Sequence, residues 1–333
     1  MSAPARLQLA LAPTPLLKLD RLSHRLGVEL YVKRDDLTGL LESGSEVRKL
    51  EFLVGDALQQ GADTLITCGP PESNGCRTVA AVAARLGLRA LLVVKSARPV
   101  VYDGNLLLGR VLGAELCFCT DAELDRVDEV MDSLAAAVRA RGGRPYVIPE
   151  SGANEIGALG YLECAVELAE QIHHGAPRFD AVVISALTGT SQAGLILGKQ
   201  LVGLPGEIVG VPVVSDAERV REHVGRTMSA AIRRYGFAIE VPKTVHLLDS
   251  AAGVAPADAP DVELDLIVEL ARTEGLLLDP VHTGPAFRAL MQALTRDPRA
   301  LGSRVCFVHT GGPFSLFPFR ARLSDLADRV ADQ

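Results

Sequence analysis

The chain has 333 residues, 48% of them apolar and 23% charged, with a formal net charge of −7. That length can bury a sizeable core and suits two lobes sharing one cleft, while the acidic balance and the lack of a dense Lys/Arg run argue against a nucleic-acid partner. No apolar stretch approaches the roughly 20 residues that span a bilayer. Residues 1–6 lack the basic-then-apolar pattern of a signal peptide, so the expected compartment is the cytoplasm, with no membrane partner.

In chain order, short β-rich runs lie at 28–33, 64–68, 90–94, 115–119, 146–148, 181–185, 208–213 and 305–309. Longer amphipathic stretches separate them. One spans 47–58 and places Val47, Leu50, Leu53, Val54, Ala57 and Leu58 on a single face. Strand–helix alternation of this kind predicts an α/β fold with mainly parallel sheets. The cysteines Cys68, Cys76, Cys117, Cys119, Cys164 and Cys306 are scattered, several inside apolar runs, so a disulfide framework is not expected. Cys117 and Cys119 have no histidine or second pair nearby, and a zinc site needs about four converging ligands; no metal site is expected.

Five segments concentrate the chemistry-bearing side chains. The first is Lys33-Arg34-Asp35-Asp36-Leu37-Thr38 with the following Ser43-Gly44-Ser45-Glu46-Val47-Arg48-Lys49-Leu50-Glu51-Phe52; the second is Glu72-Ser73-Asn74-Gly75-Cys76-Arg77. The third, Ser185-Ala186-Leu187-Thr188-Gly189-Thr190-Ser191-Gln192-Ala193-Gly194, follows an apolar strand and opens a helix. Small residues there let backbone N–H groups approach an anion, and the helix dipole adds about half a positive charge. The last two are Leu278-Asp279-Pro280-Val281-His282-Thr283-Gly284 and His309-Thr310-Gly311-Gly312. On residue chemistry alone, Ser45 is a cap for a helix beginning near Val47, and Ser73 and Asn74 cap one beginning at Gly75. Arg48 and Lys49 are expected as surface charge. His282 has an ordinary pKa near 6.5 and serves either as structure or as a proton-transfer group.

Together these segments resemble the D-cysteine desulfhydrase and 1-aminocyclopropane-1-carboxylate deaminase family of fold-type II pyridoxal phosphate enzymes. The resemblance runs from Pro13-Thr14-Pro15-Leu16 to Gly311-Gly312. It implies a two-lobed, tryptophan synthase β-like α/β fold of parallel sheets flanked by helices, with the active cleft between the lobes. Residues 1–50 and 165–333 would form a larger lobe carrying the phosphate cup, and 51–164 a smaller inserted lobe. The resemblance further implies a homodimer and a cofactor-phosphate cup at Leu187, Thr188, Gly189 and Thr190. Asn74 would hold the pyridoxal ring oxygen, Thr310 would reach the pyridine nitrogen, and Ser73 would contact the substrate carboxylate or act in chemistry.

Three departures from the family pattern fall on residues expected to surround the ligand: Glu46 stands where the imine-forming lysine is expected, Gly75 where a histidine is, and His282 where a tyrosine is. A carboxylate cannot form an imine. Glu46 is favoured in its ionised form by a helix N-terminus and by Arg48 or Lys49, and opposed by burial, so it could serve as base or acid. The leading expectation is a repurposed enzyme without covalently bound pyridoxal phosphate. It would act on a small anionic metabolite by elimination, isomerisation, cyclisation or hydrolysis, with Glu46, Ser73 and His282 as the catalytic residues. Two alternatives stay open: non-covalent use of pyridoxal or pyridoxamine phosphate, and a ligand-binding pseudoenzyme that binds saturably without turnover. An imine on Lys49, about one helical turn along, is disfavoured because its side chain would leave the helix elsewhere.

Overall fold

A computed structural model describes residues 4–41, 44–98, 102–249 and 259–331. The elements are β1 (Leu16–Lys18), α1 (Asp20–Leu26), β2 (Glu29–Lys33), α2 (Ser45–Gln59), β3 (Thr64–Gly69), α3 (Asn74–Leu86), β4 (Arg89–Val94), α4 (Gly104–Val111), β5 (Glu115–Phe118), α5 (Val127–Ala140) and β6 (Pro145–Val147). They continue with α6 (Glu155–His173), β7 (Ala181–Ala186), α7 (Thr190–Val202), β8 (Glu207–Pro212), α8 (Ala217–Tyr235), β9 (His246–Leu247), α9 (Asp261–Glu274), α10 (Thr283–Arg296), β10 (Arg304–Val308) and α11 (Arg320–Ala331).

The strands form two sheets. One has the order β1-β2-β10-β7-β8-β9 and is parallel except for the antiparallel edge strand β1. The other has the order β5-β4-β3-β6 and is parallel throughout. Parallel strands covered on both faces should be apolar along their length. Val182, Val183 and Ile184 on β7, and Leu65 and Ile66 on β3, are accordingly fully buried; each such side chain contributes about 1.5–3 kcal/mol. All eight strands expected from the sequence are present, with ends within one residue of the expected ones. β1 and β9, of three and two residues, were not expected.

Three local expectations are corrected. α2 starts at Ser45 rather than near Val47, and Gly44 is its N-cap, so Ser45 is not the cap. Only glycine fits at 44, where φ is 79° and an added β-carbon would sit 2.1 Å from the Thr310 carbonyl oxygen. α3 begins at Asn74; Ser73 is its cap, its Oγ accepting from the Cys76 backbone N–H at 3.1 Å, so Asn74 is not a capping residue. Arg48 and Lys49 are not surface charges: they are 2% and 5% exposed.

Arg48 lies at the centre of a buried ionic cluster. Its guanidinium donates to both carboxylate oxygens of Asp35 at 2.8 Å and to Glu167 Oε2 at 2.9 Å. Lys33 Nζ also bonds Glu167 and donates to the Thr14 carbonyl at 2.8 Å, while the Tyr161 hydroxyl donates to Asp35 Oδ2 at 3.1 Å. Burial opposes ionisation of Asp35 and Glu167, but the Arg48 and Lys33 charges outweigh it and hold both carboxyls below the usual carboxylate range. Both groups therefore contribute stability that is present above about pH 4 and lost as pH falls through their depressed folded values. Arg48→Met should leave two buried carboxylates short of a partner and lower stability by about 3–5 kcal/mol at pH 7. Denaturant unfolding across pH 3–7 checks this, and the variant should also lose less stability on acidification than the parent.

Candidate functional site

The strand ends and helix starts of both sheets surround a pocket of about 480 Å³. Four helices begin at its wall, α2 at Ser45, α3 at Asn74, α7 at Thr190 and α10 at Thr283. All nine residues singled out from the sequence line it: Glu46, Ser73, His282, Asn74, Leu187, Thr188, Gly189, Thr190 and Thr310, with Gly75 beside them.

Glu46 sits in the first turn of α2 and is 9% exposed. Its Oε1 accepts from Lys49 Nζ at 2.8 Å. Lys49 is three residues along, about 60° round the helix from Glu46, and lines the same pocket. The expectation that its side chain leaves the helix elsewhere is thus overturned. Lys49 also donates to the Ser151 carbonyl at 3.0 Å, and Ser151 itself holds a positive φ of 55°. A non-glycine residue there costs about 1–3 kcal/mol and marks a position held by its surroundings.

Across the pocket, His282 Nδ1 lies 3.2 Å from Asp279 Oδ2, and its backbone N–H donates to Asp279 Oδ1 at 3.2 Å. Asp279 is fully buried and also accepts from Thr283 N and Oγ1 at 2.6 Å, which anchors the start of α10. Burial works against a charged imidazole, but the hydrogen bond and charge of Asp279, aided by Glu46 and Glu72, outweigh it and raise the His282 pKa above its ordinary value. With Nδ1 tied to Asp279, Nε2 is the ring nitrogen left for a ligand.

On the other walls, Asn74 Oδ1 accepts from Arg77 and from Asn105, each at 3.1 Å, leaving its NH₂ as the end that can donate. Thr310 Oγ1 is 3.3 Å from Ser185 Oγ, and the Thr310 carbonyl accepts from Ser45 N at 2.9 Å. α7 has no side-chain cap: Gly189 precedes it with φ 91°, and the first-turn N–H groups face the cup. Lys95 and Glu150, paired at 3.0 Å, and Glu72 and Asp125 complete the charged lining. Sequence reasoning did not single out Asp279, Lys95, Glu72 or His223 as site residues; of these, Asp279, three residues before His282, and Glu72, next to Ser73, had a local signal in the motifs that contain them.

The family model for pyridoxal-phosphate dependent enzymes matches residues 7–311. The chain belongs to that family. It is 37% identical over 319 residues to a putative 1-aminocyclopropane-1-carboxylate deaminase of Thermotoga maritima, covering 96% of this chain and 99% of the relative. It is likewise 37% identical over 325 residues to a D-cysteine desulfhydrase of Yersinia pestis, covering 96% and 97%. A crystal structure of an ACC deaminase homologue superposes with a TM-score of 0.85 at 33% identity, covering 97% of this chain and 96% of that one. The family member has the expected α/β architecture of parallel sheets flanked by helices. Among the described residues, no helix is long and apolar enough to cross a membrane and no cluster of metal-ligating side chains occurs.

The electrostatics of the pocket can be titrated directly. Because the folded value of His282 lies above the ordinary 6.5, its pairing stabilises fully below about pH 6.5 and fades as pH rises through the folded value. Following the imidazole resonances by NMR should give a midpoint above 6.5 in the parent. Asp279→Asn should lower that midpoint by about one unit or more, and Glu46→Gln by a smaller amount.

Proposed function

We propose that this member of the pyridoxal-phosphate dependent family has exchanged the imine-forming lysine for a carboxylate. In this reading it acts on a small anionic metabolite by acid/base chemistry, with no cofactor held covalently at position 46. The observation that carries the reading is the Glu46–Lys49 ion pair at 2.8 Å, in a pocket that His282 also lines and that four helix starts rim.

The residues suit a phosphorylated pyridine in part. The uncapped α7 start suits a phosphate, the Asn74 NH₂ a ring oxygen, and Thr310 a ring nitrogen. The carboxylate at 46 does not suit an aldehyde. Pyridoxal phosphate, when bound, supplies an electron-withdrawing ring; proton transfer falls to the chain's own groups.

Glu46 has one oxygen committed to Lys49, and its Oε2 is the oxygen available as a base. That oxygen lies 3.3 Å from where a β-carbon on residue 75 would stand. Glycine at 75 therefore leaves room beside the carboxylate, so Glu46 and Gly75 work as one change. His282, whose protonated form the pairing with Asp279 favours, is the complementary acid. Ser73 Oγ accepts from the Cys76 N–H and so keeps its own proton to donate to a ligand carboxylate or oxyanion. A base and an acid lining one pocket suit elimination, isomerisation, cyclisation or hydrolysis, each group contributing roughly 10²–10⁴-fold.

A second reading is favoured by one observation: Lys49 Nζ reaches the same pocket with a base 2.8 Å away, so a covalent cofactor link could pass to it. Titration with pyridoxal phosphate followed by borohydride and peptide mass analysis separates the two. The proposal expects no reduced adduct on the parent chain and a new one on Glu46→Lys. An adduct on Lys49 that disappears in Lys49→Arg would transfer the assignment to the second reading.

Once a substrate is identified from a panel of small anionic amino acids and their phosphorylated or cyclic relatives, Glu46→Gln should reduce kcat by about 10²–10⁴. Turnover unaffected by that substitution would remove Glu46 from the chemistry. Saturable binding with no turnover across the panel would favour a pseudoenzyme.

A further inference from the structure

Behind the phosphate cup lies a residue that does not line the pocket. His223, on α8, places its Nε2 3.0 Å from Thr190 Oγ1. Thr190 Oγ1 is in turn 3.0 Å from Thr188 Oγ1, and Thr188 faces the pocket. α8 is pressed against this loop: a β-carbon at Gly189 would lie 2.6 Å from Val224 Cγ2 and 3.2 Å from Val220 Cγ1. Val220 and Val224 are buried on one face of α8, and His223, about 60° round the helix from Val220, flanks that face, so the packing of α8 on this loop brings the half-buried imidazole to Thr190.

Where each hydroxyl of the series uses its proton along the series or into the pocket, the bonds can run in two directions. If His223 Nε2–H donates to Thr190, the Thr190 hydroxyl donates to Thr188 and the Thr188 hydroxyl donates into the pocket. If Nε2 lacks a proton, every bond reverses and Thr188 turns a lone pair towards the pocket. The first arrangement offers an anion a donor; the second offers it a repulsive acceptor.

We propose that His223 is a positioning residue that fixes the cup as a donor site, so that the pocket selects ligands carrying a phosphate or similar oxyanion. It acts through Thr190 and Thr188 rather than by touching the ligand. The inference rests on the reading of the pocket as one that takes an anion. Burial, aided by the Arg226 and Lys49 charges, lowers the His223 pKa, so the ring is neutral at pH 7 and its single proton must choose one nitrogen. An anion in the cup then stabilises the Nε2–H form, and that form in turn stabilises the bound anion.

Two measurements on the full chain test this. In the first, NMR of the unmutated protein labelled with ¹⁵N-histidine should show the His223 ring as the Nε2–H tautomer at saturating inorganic phosphate. An Nδ1–H tautomer under those conditions would overturn the proposal. In the second, calorimetry compares pyridoxal phosphate with pyridoxal, which differ only in the phosphate. His223→Leu should weaken pyridoxal phosphate binding about tenfold, the scale of one lost neutral hydrogen bond, and leave pyridoxal binding unchanged. His223→Gln, whose amide N–H can replace Nε2–H, should recover most of the loss. Equal weakening of both ligands would mean that the residue is merely structural, and no weakening of either would remove it from the site. If the parent chain binds neither phosphate nor pyridoxal phosphate, the anion-site reading fails and this inference with it. Normal phosphate binding in His223→Leu would defeat the His223 assignment alone.

Discussion

The Arg48 guanidinium, clamped between Asp35 and Glu167, fixes the orientation of α2, and with it everything the pocket can do. Successive residues of an α-helix are 100° apart, so holding residue 48 on one side places 46 and 49 at fixed angles on the other. The clamp joins three parts of the chain: Asp35 follows β2, Arg48 is on α2, and Glu167 is on α6. A buried cluster of this kind is weak evidence of net stability, because desolvation cancels much of the attraction. What it supplies is direction. An apolar residue at 48 could pack against α6 in several rotations, whereas a guanidinium bonded to both oxygens of Asp35 has one.

The same helix is fixed at its first residue from another side. The Thr310 carbonyl accepts from Ser45 N and passes so close to Gly44 that no β-carbon fits. Thr310 thus has two tasks, a hydroxyl in the pocket and a carbonyl against the start of α2. This contact couples the turn after β10 to the turn before α2, segments more than 250 residues apart in sequence. A shift of either would move Glu46 and Thr310 together, so the spacing between these two pocket-lining residues is set by backbone rather than by side-chain rotamers.

How far the sequence disclosed these features depends on the range of the interaction concerned. Period and apolar runs are local, and they were sufficient for eight strands and for α2 to within two residues. β1 and β9 escaped because two or three residues carry no period; their edge positions are set by pairing with β2 and β8. The pocket-lining residues were legible through short motifs at turns, where one backbone conformation demands particular residue types. The burial of Arg48 was not legible. Its partners lie 13 and 119 residues away, and before folding nothing distinguishes it from a solvated arginine on a helix. Lys49 was misplaced for the same reason, since its partner in the next turn was visible but the pocket that receives both was not. His223 acts on the cup only through the α7–α8 packing and has no motif at all.

The charge balance of the pocket bears on how a carboxylate could stand beside the anionic ligand proposed for it. Four helix starts converge there, each with roughly half a positive charge; Ser73 caps α3, the Asp279 carboxylate takes the first N–H of α10 and the Thr310 carbonyl that of α2, while α7 has no side-chain cap. An unpaired Glu46 would spend that field on itself, accepting from its own helix and repelling any anionic ligand. Lys49 prevents this by neutralising the carboxylate at 2.8 Å while leaving Oε2 open towards Gly75. The field of the uncapped α7 start is then left to the ligand. Asp279 favours the protonated form of His282, which adds to that field when charged. Removing Lys49 would therefore be expected to weaken anion binding even if Lys49 never touches the ligand, because Glu46 would become the competing anion. In the proposed reading Glu46, Lys49 and Gly75 act as one unit: the carboxylate would transfer the proton, the ammonium makes it tolerable beside an anion, and the glycine gives it room.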